Sequence, residues 1–155
     1  MTATSPESCS CSALRQASRH VTRLYDEALA PTGLGINQYA ILSKLDRFGP
    51  HTLQSLAERL VMDRSTLGHL LRPLEARGLA ASRVGETDRR HRLIALTPAG
   101  TALMAEARLL WMDAERRFQA AFGAGESLAL RTALKQLTTI AFDQAPLPKD
   151  HADAH

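Results

Sequence analysis

Lysine occurs only three times in this 155-residue chain, against sixteen arginines. Arginine carries a planar fork that suits phosphates and guanine edges, so the imbalance raises the question of a polyanion; the plain alternative is a solvated basic face. Aromatic residues make up 5%. A leucine- and alanine-based core with so few rings points to packed helices rather than a β-sandwich. The only cysteines, Cys9 and Cys11, are one residue apart. They cannot staple distant segments, which excludes a disulfide scaffold. No N-terminal apolar run of signal-peptide type and no run of membrane-spanning length is present, so the expected location is the cytoplasm, away from membranes. A glycine-rich phosphate loop, a His-Glu metal motif and a nucleophile elbow are all missing. The chain is therefore not read as an enzyme, and no cofactor or metal is expected.

What is present is enough for a core. Hydrophobic residues make up 45% and charged residues 23%, which suits one folded domain. The charge is unevenly placed. Between Arg64 and Arg92 lie seven arginines and three acids, +4 in a chain whose net charge is +3. Such concentration is the electrostatic footprint of a polyanion site.

Residues 1–11 read as a flexible arm. From 12 to 30, Leu14, Ala17, Val21, Leu24 and Ala28 step by three and four, a one-sided helix that Pro31 and Gly33 end. "INQYAILSKLDRFG" predicts a second helix. "TLQSLAERL" predicts a third with Thr52 as its cap. Asp63 predicts the cap of a fourth running to Arg77, with a bend at Pro73. "LAASRV" and "RLIALT" read as strands around the charged loop "GETDRRH". Thr97-Pro98 opens a fifth helix, striped by Leu103, Ala107, Leu110, Ala114, Phe118 and Ala121. A sixth, at about 126–143, carries Leu130, Leu134, Leu137 and Ala141; residues 144–155 read as a disordered tail.

Helix, three-residue turn, helix, strand, basic loop, strand is the order of a winged helix-turn-helix. The fold class is mainly α, with extra N- and C-terminal helices. At 100° per residue, Leu67, Leu70, Leu71 and Leu74 share one face of the fourth helix and must be core. Ser65, Gly68, His69 and Arg72 share the opposite face, which is acid-free until Glu75 and suits a major groove. Arg64 and Thr66 complete the expected DNA-binding set on this helix. Arg89, Arg90 and His91 at the ribbon tip would reach the minor groove or the backbone, with Asp88 pairing to an arginine to fix the loop.

"DRRHRLIALTPAG" resembles the signature Asp-x-Arg, five residues, Leu-Thr-x-x-Gly of the MarR family of bacterial transcriptional regulators, through Asp88, Arg90, Leu96, Thr97 and Gly100. The resemblance covers residues 12–143. It implies a homodimer on a pseudo-palindromic duplex, with 12–48 and 98–143 supplying dimerisation helices and 52–97 the DNA lobe. For the apolar stripes of the fifth and sixth helices, the alternative is an intrachain bundle.

The same resemblance extends to control. In the peroxide-sensing branch a reactive cysteine precedes a pattern similar to "SALRQASR"; Cys11 falls there and Tyr25 falls where a tyrosine partner would lie, while a second tyrosine corresponds to Ile36. Cys9 and Cys11 are thus candidate redox sensors, against a surface thiol in a frayed arm. The family's pockets for phenolic or aromatic carboxylate effectors resemble the neighbourhood of Trp111, where Arg19, His20 or Arg23 would meet a carboxylate. Two other readings stay open: a thiol-redox enzyme using Cys9 and Cys11, and a winged helix used only for protein contacts.

Overall fold

The computed structural model describes residues 9–85 and 92–144. They divide into two compact units between Phe118 and Gln119. The first holds α1 (Ser10–Leu29), a 3₁₀ turn (Ala30–Thr32), α2 (Ile36–Phe48), β1 (His51–Thr52), α3 (Leu53–Leu60), α4 (Arg64–Ala76), β2 (Ala80–Val84), β3 (Arg92–Leu96) and most of α5 (Pro98–Phe122). The second holds α6 (Ala124–Leu137) and a 3₁₀ turn (Phe142–Gln144).

The helix starts follow local chemistry. The Thr52 hydroxyl accepts from the Ser55 N–H at 3.1 Å, and an Asp63 carboxylate oxygen accepts from the Thr66 N–H at 2.8 Å. The Thr97 hydroxyl accepts from the Gly100 N–H at 3.0 Å. Each side chain satisfies a donor that the first helical turn leaves without a carbonyl.

The core of the first unit is aliphatic. Ile41, Leu42, Leu56, Leu67, Leu74, Met104 and Ala107 are all buried within it. Each leucine contributes about 1.5–3 kcal/mol by leaving water. Leu67, Leu71 and Leu74 are buried as their spacing predicts, and Leu70 packs against the cluster half-buried.

Three features differ from the sequence reading. α1 begins at Ser10, two residues early, because nothing between Pro6 and Ser12 stops a helix; Cys9 becomes its N-cap residue. A two-residue strand, β1, joins the ribbon, giving antiparallel order β1-β3-β2 with His51 opposite Ile94 and Val84 opposite Arg92. As the sequence reading has it, α4 carries Pro73 inside it, on the solvent side. α6 stops at Leu137 because the hydroxyls of Thr138 and Thr139 donate to the carbonyls of Lys135 and Gln136 and compete with the helix ladder.

The two apolar stripes also part ways. Ala107 and Ala114 of α5 are fully buried, with Leu103 and Leu110 packed against the first unit's own core. On that helix Leu109, Met112 and Phe122 are exposed. On α6, Leu128, Leu130 and Leu134 are exposed.

Candidate nucleic-acid interface

α3 and α4 are joined by Val61-Met62-Asp63, with Val61 in the left-handed region at φ 52°. The Val61 N–H donates back to α3 carbonyls and the Met62 N–H donates to Ala57 O at 2.9 Å, which closes the turn. From there the solvent face of α4 presents Arg64, Ser65, His69 and Arg72, all exposed, with Gly68 half-buried among them. The leucines opposite anchor the helix, so this face is held while its side chains stay free.

Thr66 stands apart from that set. Its hydroxyl donates to Asp63 at 2.6 Å and its N–H to the other carboxylate oxygen. These bonds, the hydroxyl's first, hold the exposed Asp63 carboxyl below its ordinary value. Arg77, one of the seven arginines in the basic stretch, is also committed elsewhere. It donates to the Thr32 carbonyl at 2.8 Å and the Gly33 carbonyl at 3.0 Å, clamping the end of α4 to the α1–α2 connection.

The ribbon exposes Ser82, Arg83 and Val84 on β2 and Arg92 on β3. Asp88, Arg89, Arg90 and His91 lie outside the described residues. The base of the ribbon shows why a Leu-Thr-x-x-Gly run belongs there. The Thr97 hydroxyl donates to the Gly78 carbonyl at 2.5 Å while capping α5, and the Thr97 N–H donates to the Leu79 carbonyl at 3.2 Å. A Cβ on Gly100 would stand 2.0 Å from that same Leu79 carbonyl oxygen. Only glycine lets α5 approach so closely.

A second feature lies on α2 and α5. An open groove of about 780 Å³ is lined by Tyr39, Lys44, Asp46, Arg47, Arg108 and Trp111, among others. Tyr39 and Trp111 stack with centroids 5.9 Å apart and planes 14° from parallel. Burial pushes the Tyr39 phenol up, against the lowering pull of Arg108. Arg108 is paired with Asp46. Trp111 thus stands in the groove, whereas Arg19, His20 and Arg23 do not line it: they are exposed on α1, with Arg23 bonded to the His20 ring at 3.2 Å. Sequence reasoning missed Tyr39, Lys44, Arg47 and Arg108. The only signal was a helix carrying Tyr39 and two cations on neighbouring turns.

Cys9 and Cys11 are both exposed in the first turn of α1. Tyr25 lies fourteen residues on, about 21 Å along the same helix. Its hydroxyl donates to the Glu115 carboxylate at 2.6 Å. Within one chain, Tyr25 and Cys11 are not brought together.

The sequence profile of the MarR family matches residues 34–91. The organic hydroperoxide resistance transcriptional regulator of Bacillus subtilis is 32% identical over 97 residues, 63% of this chain and 66% of that protein. The chain spans between 41% and 66% of the length of the curated relatives it matches. A probable transcriptional regulator from Pseudomonas aeruginosa superposes with a TM-score of 0.72 at 30% identity, over 81% of this chain and 93% of that one. The M. tuberculosis transcriptional regulator MosR, solved in complex with DNA, superposes with a TM-score of 0.69 at 28% identity, over 85% and 99%.

Proposed function

The chain belongs to the MarR family, and on that premise we propose that it is a sequence-specific DNA-binding regulator of transcription, acting in the cytoplasm as a homodimer and catalysing nothing. One observation carries the reading: the acid-free face of α4 is exposed at Arg64, Ser65, His69 and Arg72 while the leucines behind it are buried. Two such helices, one per protomer, address major-groove sites about 10 base pairs apart. The surfaces left for a second copy are the exposed Leu14 of α1, Leu109 and Met112 of α5, and, on α6, Leu128, Leu130 and Leu134. Arg72 reads a base edge. Arg72→Ala therefore relaxes sequence preference at one position per half-site, at a cost of about 1–3 kcal/mol. Binding titrations on duplexes selected from a random pool test it. Equal weakening on every sequence, or a stable monomer in sedimentation, overturns it.

The groove supports a small-molecule switch. The Tyr39–Trp111 pair supplies an aromatic floor, and Lys44 and Arg47 supply cations for a carboxylate, so the occupant is an aromatic carboxylate or phenol. Trp111 is the chain's one tryptophan, so salicylate added to the purified protein reports directly through its fluorescence. Unchanged emission at millimolar salicylate removes the groove as its site. A second switch, thiol oxidation, is favoured by the exposure of Cys9 and Cys11 and by similarity to a relative named for organic hydroperoxide resistance.

A further inference from the structure

Gly68 lies in the interior of α4, where glycine is the poorest helix former after proline. The fold does not ask for it. Its backbone is not among those with positive φ. Among the described residues, a Cβ built on it meets no heavy atom within 4 Å, the reverse of the situation at Gly100. Neither conformation nor packing accounts for the missing side chain.

Its neighbours do. Arg64 and Arg72 stand one turn before and after it, and Ser65 and His69 flank it; all four are exposed. Gly68 is therefore a notch of bare Cα in the middle of the face read above as the DNA-contacting one, and the inference rests on that reading. Base edges in the major groove offer polar donors and acceptors and one apolar projection, the thymine 5-methyl group. Polar edges call for polar side chains, which Ser65, His69 and Arg72 supply. A recess without a side chain suits the methyl group.

We propose that Gly68 is a specificity-determining residue, its notch receiving a thymine 5-methyl group in each half-site. Any larger residue at this position fills the space that the methyl occupies and holds the helix away from the bases.

The test uses the full-length protein and a duplex it selects from a random pool, with each thymine replaced in turn by deoxyuridine. Gly68→Ala raises Tm by about 2–4 °C, since it improves the helix and meets nothing. It loses about tenfold in affinity for the selected duplex. At one position per half-site, deoxyuridine weakens the wild type yet restores binding to Gly68→Ala. Wild-type affinity in Gly68→Ala, a loss that no deoxyuridine relieves, or a lowered Tm overturns the inference. If the wild type selects no duplex at all, the DNA-binding reading itself fails; intact wild-type binding beside an indifferent Gly68→Ala sinks the notch alone.

Discussion

The guanidinium of Arg77 holds the carbonyl of Thr32 at 2.8 Å, across 45 residues of sequence. With the parallel bond to Gly33, it makes Arg77 a structural clamp rather than a phosphate ligand. Arg77→Ala is expected to lower unfolding free energy by about 1–2 kcal/mol. The salt dependence of DNA binding should keep its slope, because no phosphate contact is lost. Urea titration and binding at several salt concentrations check the two halves. A shallower salt slope would return Arg77 to the interface.

Gly100→Ala should be among the most destabilising small changes available. Its Cβ would meet the Leu79 carbonyl oxygen at 2.0 Å, and a backbone carbonyl cannot swing aside as a side chain can. A cost of about 3 kcal/mol is expected. Gly125→Ala in α6 meets nothing among the described residues within 4 Å and should stabilise by up to about 1 kcal/mol. Thermal melts of the two variants side by side decide it.

Asp63 gives a pH dependence of known sign. Its folded value lies below the ordinary 3.8, chiefly through the Thr66 hydroxyl and then the Thr66 N–H. The unfolded chain therefore binds the proton more readily. The contribution to stability is present above 3.8 and is lost as pH falls through the lower folded value. Asp63→Ala should be less stable than the wild type at neutral pH, with the gap closing in that acidic window. Denaturation followed by circular dichroism across the window checks it; a gap that persists below the folded value would mean the carboxylate is not its source.

Of the two thiols, Cys11 is expected to oxidise first. It lies inside the first turn of α1, whose N–H groups attract negative charge, with Arg15 one turn on. Peroxide should weaken DNA binding in the wild type and leave Cys11→Ser unaffected. Full affinity in protein that mass spectrometry shows oxidised at Cys11 would assign the switch to the groove.

Periodicity and capping residues made the six helices and the two long strands legible. The leucine spacing in α4 by itself separates the core face from the solvent face. What stayed hidden is tertiary. β1 is two residues long, too short for any alternation, and exists because β3 offers it a partner. Arg77 carries the same charge as Arg72, and only the fold distinguishes them. Tyr25 pairs with a carboxylate ninety residues away, which no spacing rule could suggest. The groove was half visible: Trp111 stood out as a lone ring, but its stacking partner Tyr39 read as one more helix residue.

The clasp at Thr97 and Gly100 has a mechanical consequence. It fixes the first turn of α5 to the corner where α4 gives way to β2, leaving no slack between them. Arg108, Trp111 and Met112, on the groove wall, lie about 12–18 Å further along the same helix. No glycine or proline interrupts α5 between them and the clasp. The helix therefore runs unbroken from the groove wall to the corner where α4 ends, with Met104 and Ala107 buried in the core between them.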